Sequence, residues 1–403
     1  MTHPAFLLIK QADVHAPEAL GVQDLLVAGG RIAHIGPLPS LGLPGLEIID
    51  GRGLLALPGF IDGHVHILGA GGEGGFATRT PELMLSEVIL AGVTTLVGCL
   101  GTDGITRSLV GLLAKARGLE EEGITTWIYT GSYAVPAVNI TGCVESDLLI
   151  IDKILGVGEV AISDHRSSQP THEQLCQLVA ETRRGGMLSG KAGLVHFHMG
   201  DGPGGLAPLR RLLEETEIPM TQLLPTHINR NPDLLAEGGA YARSGGLVDL
   251  TTSAPPAASG TRQVPASRAL KALLEGGVPA EQVTMTSDGQ GSLPEYDGGG
   301  AYTGMGVGRM RSLFDAFREV VQVEGIELSR ALLPFTANPA RILKLRGKGE
   351  LRPGHDADLV LVDRDSLELH TVIAKGRVLM LNGELRARGT FERVPGTSVR
   401  ELV

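Results

Sequence analysis

The stretch Pro58-Gly-Phe-Ile-Asp-Gly-His64-Val-His66 decides how the rest of the chain is read. Taken as a strand from Phe60 to His66, it turns His64 and His66 to one face, because strand side chains alternate with period two. Asp62 has the same parity, which sets a carboxylate in line behind the two imidazoles. Neutral imidazoles converging on one point suit a divalent transition metal, and zinc is the commonest occupant. An isolated His-x-His is a weak motif, so the reading depends on what surrounds it.

Working outward, short apolar runs ending in polar residues alternate with helical patterns. The runs are Thr94 to Cys99, Thr125 to Thr130, Glu159 to Asp164, Leu194 to His198, Gln222 to His227, Val248 to Thr252 and Val283 to Asp288. Segments such as Pro81 to Ala91, Leu206 to Glu217 and Arg268 to Glu275 carry helical periodicity between them. With Phe60 to His66 this makes eight βα units, the count that a parallel (β/α)8 TIM-like barrel needs, and such barrels carry chemistry at the C-terminal ends of their strands. Polar residues fall there: His64, His66, Glu159, His198, His227 and Asp288. Six candidate ligands exceed what one tetrahedral zinc uses, so two divalent metal ions, Zn2+ by donor type, bridged by a carboxylate and a hydroxide, are the economical reading.

The two ends of the chain read differently. Phe6 to Ile9, Asp24 to Ala28, Arg31 to Ile35 and Glu47 to Ile49 are short strands, and the same style returns in Asp358 to Val362, Thr371 to Ala374 and Arg377 to Leu381. Gly29-Gly30, Lys375-Gly376 and Asn382-Gly383 are turn signals between them. Neither end can bury a two-sided core alone, so residues 1–56 and 346–403 are expected to join as one small β-sandwich domain beside a catalytic barrel of residues 57–345, an α/β architecture overall.

Composition narrows the function. A net charge of -10 and 3% aromatic residues argue against a nucleic-acid surface. No window is apolar for the length of a membrane span, and the N-terminus lacks a signal-peptide pattern, so a cytoplasmic location is expected. Cys99, Cys143 and Cys176 are odd in number and show no C-x-x-C spacing, which suits reduced thiols.

With His198, His227 and the run Ser287-Asp288-Gly-Gln-Gly following in order, the opening stretch resembles the amidohydrolase superfamily, and within it the bacterial isoaspartyl (β-aspartyl) dipeptidases. The resemblance covers nearly the whole chain, and its more specific stretches include Gly69-Ala-Gly-Gly-Glu73-Gly-Gly, Leu100-Gly-Thr-Asp103, Thr130-Gly-Ser-Tyr133, Ile162-Ser-Asp-His-Arg166, Phe197-His-Met-Gly-Asp201 and Leu224-Pro-Thr-His-Ile-Asn-Arg230-Asn231. It implies hydrolysis of β-aspartyl dipeptides by a metal-bridging hydroxide, with His64, His66 and Asp288 on one ion and His198 and His227 on the other. It also implies Asp288 as general base and acid, Tyr133 polarising the carbonyl, substrate contacts from Glu73, Thr102, Arg166, Arg230 and Ser292, and a homo-oligomer.

The residues support this chemistry beside the resemblance. A β-aspartyl dipeptide carries two carboxylates and one ammonium, and Arg166, Arg230 and Glu73 supply the complementary charges; guanidinium suits planar carboxylates. His196 shares the inward parity of His198 one layer deeper and reads as a supporting histidine. Gly69-Ala-Gly71-Gly-Glu-Gly74 matches G-x-G-x-x-G, but Pro81 interrupts and the nearby acid Glu87 lies in a helical pattern rather than at the end of a second strand, so it reads as a loop carrying Glu73. The Gly-rich Asp297 to Gly300 reads as part of a moving lid.

One position departs from the family. Where those enzymes typically have a carboxylated lysine on the fourth strand, this chain has Glu159. Glutamate offers the same bridging carboxylate on a shorter arm, so the strand has to come closer, and Gly156-Val-Gly158 permits a bulge that does so. An N-acyl-amino-acid deacylase or cyclic-amide hydrolase of the same superfamily is the alternative activity, and a barrel that serves only as a scaffold is the non-enzymatic one.

Overall fold

The computed structural model describes residues 5–253, 262–296 and 302–392. Five strands come first: β1 (Phe6–His15), β2 (Ala19–Ala28), β3 (Arg31–Ile35), β4 (Leu46–Asp50) and β5 (Leu54–Pro58). Gly29 and Gly30 both take positive φ between β2 and β3, a conformation that glycine reaches at little cost. β5 is wholly buried; its unbroken apolar run shows no alternation, which is why sequence patterning passes it over.

Eight βα units follow in strict order. They are β6 (Phe60–Val65) with α1 (Leu85–Leu90), β7 (Val93–Gly98) with α2 (Leu109–Glu122), β8 (Thr125–Thr130) with α3 (Val144–Ile150), and β9 (Ile154–Ile162) with α4 (His172–Ser189). Then come β10 (Leu194–Met199) with α5 (Ala207–Glu215), β11 (Leu223–Thr226) with α6 (Pro232–Arg243), β12 (Val248–Thr251) with α7 (Ala266–Glu275), and β13 (Val283–Thr286) with α8 (Arg311–Gln322). A hairpin, β14 (Ser292–Tyr296) and β15 (Tyr302–Val307), interrupts the last unit. The lid expected at Asp297 to Gly300 lies outside the described residues. Helix signals act where the sequence places them. Thr171 and Gln174 form a capping box at the start of α4, and Gly190 closes that helix in the left-handed conformation; a cap of this kind contributes about 1 kcal/mol.

β6 to β11 form one curled parallel sheet in chain order, and β12 pairs with β13. Buried acids stitch the seams. Asp249 on β12 accepts hydroxyls from Thr226 on β11 and from Thr284 and Thr286 on β13, each at 2.6 Å. Asp62 on β6 accepts the backbone N–H of Ser287, just beyond β13, at 3.2 Å and of His64 at 3.3 Å. The pairing of β6 with β7 carries a register irregularity between Asp62 and Val65. Burial raises the Asp62 carboxyl to about 7, against the opposing hydrogen bond of Ser287. Phe60, at the start of β6, packs against Phe314 and Phe317 of α8 and against Phe335, with ring centroids 5.2 to 5.6 Å apart, anchoring the strand that carries His64.

At the far end lie β16 (Leu359–Asp363), β17 (Leu369–Ala374), β18 (Arg377–Leu381) and β19 (Glu384–Leu385). β16 pairs antiparallel with β5, and both ends of the chain thereby join one nine-stranded sheet. Lys348 ties this sheet to the beginning of β8 by donating to Thr125 at 2.7 Å while pairing with Asp358. The attachment is at the strand starts and leaves the strand ends open. No helix of the described residues is long and apolar enough to cross a membrane.

Candidate metal centre and substrate pocket

Glu159 is the hub. Its carboxylate lies 3.3 Å from His64 Nε2, 3.2 Å from His66 Nε2, 3.0 Å from His198 Nδ1 and 3.5 Å from His227 Nε2. Asp288 Oδ1 completes the ring, 3.0 Å from His66 Nε2 and 3.6 Å from His64 Nε2. Two donor groups able to hold an ion share the Glu159 carboxylate: His64 and His66, with Cys99 beside them, on one side, and His198 and His227 on the other. His64 Nε2, His227 Nε2 and Asp288 Oδ1 are buried without a hydrogen-bond partner. Buried polar atoms left unsatisfied are costly, and these three all face the hub, so the donor set fits a pair of divalent ions.

The short arm of Glu159 reaches this point because β9 is bulged and pressed against β10. Val157 pairs with Val195 and Val160 with Phe197, so β9 carries one extra residue there. A Cβ on Gly156 would stand 2.5 Å from the Leu194 carbonyl oxygen, and one on Gly158 would stand 2.8 Å from His196 Cβ. Only glycine permits that approach. Glu159 lies inside β9, three residues short of its end, and is a ligand candidate through closeness of backbone.

Two other candidate ligands sit on strained backbone. His227 follows β11 with φ 60° and Asp288 follows β13 with φ 54°, a left-handed conformation that costs a non-glycine residue about 1–3 kcal/mol and gathers at functional sites. Charge is tuned to match. Burial, then the neighbouring His198, pushes His227 down to about 3, which keeps it neutral and ligand-competent. Asp288 is held at about 2; burial opposes this, and His66 and His64 outweigh it. Tyr133 is raised well above the ordinary phenol by burial and by the Glu159 charge, so its O–H stays neutral; it lies 2.8 Å from His198 Nδ1.

A cavity of about 860 Å³ opens above the hub, and Glu73, Thr102, Tyr133, Arg166, Arg230 and Ser292 all line it. Glu73 accepts from Thr102 at 2.9 Å, from Ser292 at 3.3 Å and from Arg166 at 3.4 Å. Arg230 donates Nε to the Met199 carbonyl at 2.7 Å, and its Nη2 lies 3.4 Å from His198 Nε2. Every candidate site residue is thus drawn to one end of the curled sheet.

A sequence profile of the amidohydrolase family matches residues 55–379. The chain belongs to the amidohydrolase family. It is 46% identical to the β-aspartyl dipeptidase of Fervidobacterium islandicum AW-1 in complex with β-Asp-Leu, with a TM-score of 0.89 over 98% of this chain and 100% of that one. An allantoinase of Salmonella typhimurium is 25% identical, covering 89% of this chain and 86% of its own length. A dihydropyrimidinase of Brevibacillus agri NCHU1002 is 18% identical with a TM-score of 0.65 over 96% of this chain and 100% of that one, a likeness of fold alone.

This amidohydrolase also supports its hub from behind. Each of the four imidazoles presents one nitrogen to Glu159 and gives the other a partner. His64 Nδ1 meets His196 Nε2 at 3.2 Å, His66 Nδ1 meets Cys99 Sγ at 3.7 Å, His198 Nε2 meets Asp164 Oδ2 at 3.1 Å, and His227 Nδ1 meets Thr251 Oγ1 at 2.5 Å. Sequence reading anticipates His196 by its parity. It misses Cys99, Asp164 and Thr251 as partners, although all stand near strand ends, because a hydrogen bond between strands leaves no mark on either.

Proposed function

We propose that this amidohydrolase hydrolyses the isopeptide bond of β-aspartyl dipeptides with two divalent ions, and that zinc best matches its donors. One juxtaposition carries the reading: Glu73, Arg166 and Arg230 line the cavity above the Glu159-centred cluster. One anion and two cations complement the single ammonium and two carboxylates of such a substrate. Similarity to the Fervidobacterium enzyme, whose structure holds β-Asp-Leu, supports the same substrate class.

His64, His66 and Asp288 would hold one ion and His198 and His227 the other, with Glu159 shared. Ions held there would supply Lewis-acid activation of a water and of the scissile carbonyl. The chain's own groups do the rest. Asp288, ionised at neutral pH, takes the proton of the attacking water at Oδ2, the oxygen not turned to His64 and His66, and passes it to the departing amine. Tyr133 donates its O–H to the oxyanion that develops. Arg166 and Arg230 orient the carboxylates, and Glu73, steadied by Thr102 and Ser292, receives the ammonium. The same reading makes residues 57–345 a closed (β/α)8 barrel and residues 1–56 and 346–403 the halves of a small β-sandwich domain, supported by the pairing of β5 with β16.

The test is hydrolysis of β-Asp-Leu, α-Asp-Leu, a hydantoin and an N-acetyl amino acid by chelated and zinc-reconstituted protein without added bicarbonate. Cleavage of the β-linked peptide alone, restored by zinc, is the expected result. Cleavage of the hydantoin or the N-acetyl amino acid instead would move the assignment within the family, and anomalous scattering from one ion only would refute the shared Glu159.

A further inference from the structure

Asp164 follows β9, five residues beyond Glu159, and the chemistry above leaves it without a task. Its side chain is 4% exposed, and both carboxylate oxygens are engaged. Oδ1 accepts the Arg166 backbone N–H at 2.7 Å and its Nε at 3.0 Å. Oδ2 accepts Arg166 Nη2 at 2.8 Å and also lies 3.1 Å from His198 Nε2. Held along one edge in this way, the guanidinium keeps Nη1 pointing to the cavity side, where it meets Glu73 at 3.4 Å. Through the opposite nitrogen of His198 the same carboxylate faces the hub, since His198 Nδ1 stands 3.0 Å from Glu159.

The carboxylate has little freedom to leave this position. Gly200 and Gly202 press on Ser163-Asp164 so closely that a Cβ on Gly200 would come within 2.5 Å of Asp164 Cα and Cβ. A rigid carboxylate shared by a substrate-facing arginine and a candidate metal ligand transmits any shift of one to the other. Partners that orient a ligating imidazole typically change metal affinity tenfold to a hundredfold when removed.

We propose that Asp164 is a positioning residue that couples carboxylate recognition to the metal centre, aiming Arg166 into the pocket and orienting His198 toward the second ion. The Arg166 half rests on the β-aspartyl reading, whereas the His198 half rests only on the metal-binding fit of the donor set.

Asp164→Asn keeps the shape and removes the charge. Zinc affinity of the apo protein, measured by competition with a chromophoric chelator, is expected to fall about 10- to 100-fold for one of two ions. The KM for β-Asp-Leu is expected to rise about tenfold through the loosened Arg166. In an Arg166→Ala background the same substitution should leave KM within about twofold while the zinc loss persists, because coupled residues are non-additive. Asp164→Ala, which introduces no new group, carries the same expectations if the asparagine protein does not fold. Unchanged zinc affinity, or KM effects that multiply in the double variant, would overturn the proposal. A wild-type protein that binds zinc but cleaves no β-aspartyl peptide would refute the proposed function instead, and the zinc measurement would then decide the role of Asp164.

Discussion

Replacing Gly156 by alanine places a methyl group 2.5 Å from the Leu194 carbonyl oxygen, where real Cβ atoms essentially never come within 3.0 Å. The obstacle is backbone on the neighbouring strand, so it cannot swing aside; β9 has to retreat by about 0.5 Å in an interior packed at crystal-like density. Glu159, three residues on, moves with it. Metal–oxygen bonds tolerate only about 0.2 Å, so a retreat of this size takes the carboxylate out of reach of at least one of the two donor groups. We expect Gly156→Ala to cost about 1–3 kcal/mol of stability through overpacking and to weaken zinc binding by about tenfold or more. Gly118→Ala is the control: Gly118 lies inside α2 with nothing within 4 Å of its added Cβ, and the same methyl should stabilise by about 0.5–1 kcal/mol. Urea unfolding and chelator competition read both quantities. Wild-type zinc affinity in Gly156→Ala would refute the idea that glycine-permitted approach of β9 is what lets a glutamate stand at this position.

Three other outcomes follow from the geometry. Tyr133→Phe is expected to lower kcat on β-Asp-Leu about 10²- to 10³-fold with little change in KM, as for loss of an oxyanion donor; a rise in KM alone would assign Tyr133 to ground-state binding. Phe60→Ala removes a ring that touches Phe314, Phe317 and Phe335 and should cost about 3–5 kcal/mol in urea unfolding; a loss below about 1 kcal/mol would mean that α8 does not anchor β6. Asp103 is lowered from 3.8 to about 2, burial opposing and the hydrogen bonds of Thr106 and Ile105 and the charge of Arg79 prevailing. Because the folded value is depressed, its stabilisation is whole above the unfolded value and fades as pH falls toward the folded one. Urea midpoints of wild type and Asp103→Asn should therefore differ at pH 7 and draw together below about pH 4; a gap that does not narrow would rule out this carboxylate as the source.

Much of the site is legible in the chain because strands impose period two and curled parallel sheets expose their strand ends. His64, His66, His198 and His227 can be picked out from their places at the ends of apolar runs, and the terminal strands from their turns. Where a strand departs from regular geometry, the reading fails. Asp62 is read as a backing carboxylate, and nothing in that reading shows that it accepts the Ser287 and His64 amides beside an irregularity in β6. Glu159 begins its run in the sequence, yet sits inside a nine-residue β9. β5, apolar throughout, is invisible as a strand until β1 and β16 flank it.

By itself, then, the sequence determined the order of the βα units, the residue types available at their ends and the kind of chemistry those types support, since all three depend on local pattern and side-chain identity. Only the tertiary structure decided that Glu159 is close enough to serve four imidazoles, that His227 and Asp288 adopt left-handed backbone, and that Asp164 joins Arg166 to His198. Those facts depend on distances of a few tenths of an ångström between segments far apart in the chain, and such distances are set by packing.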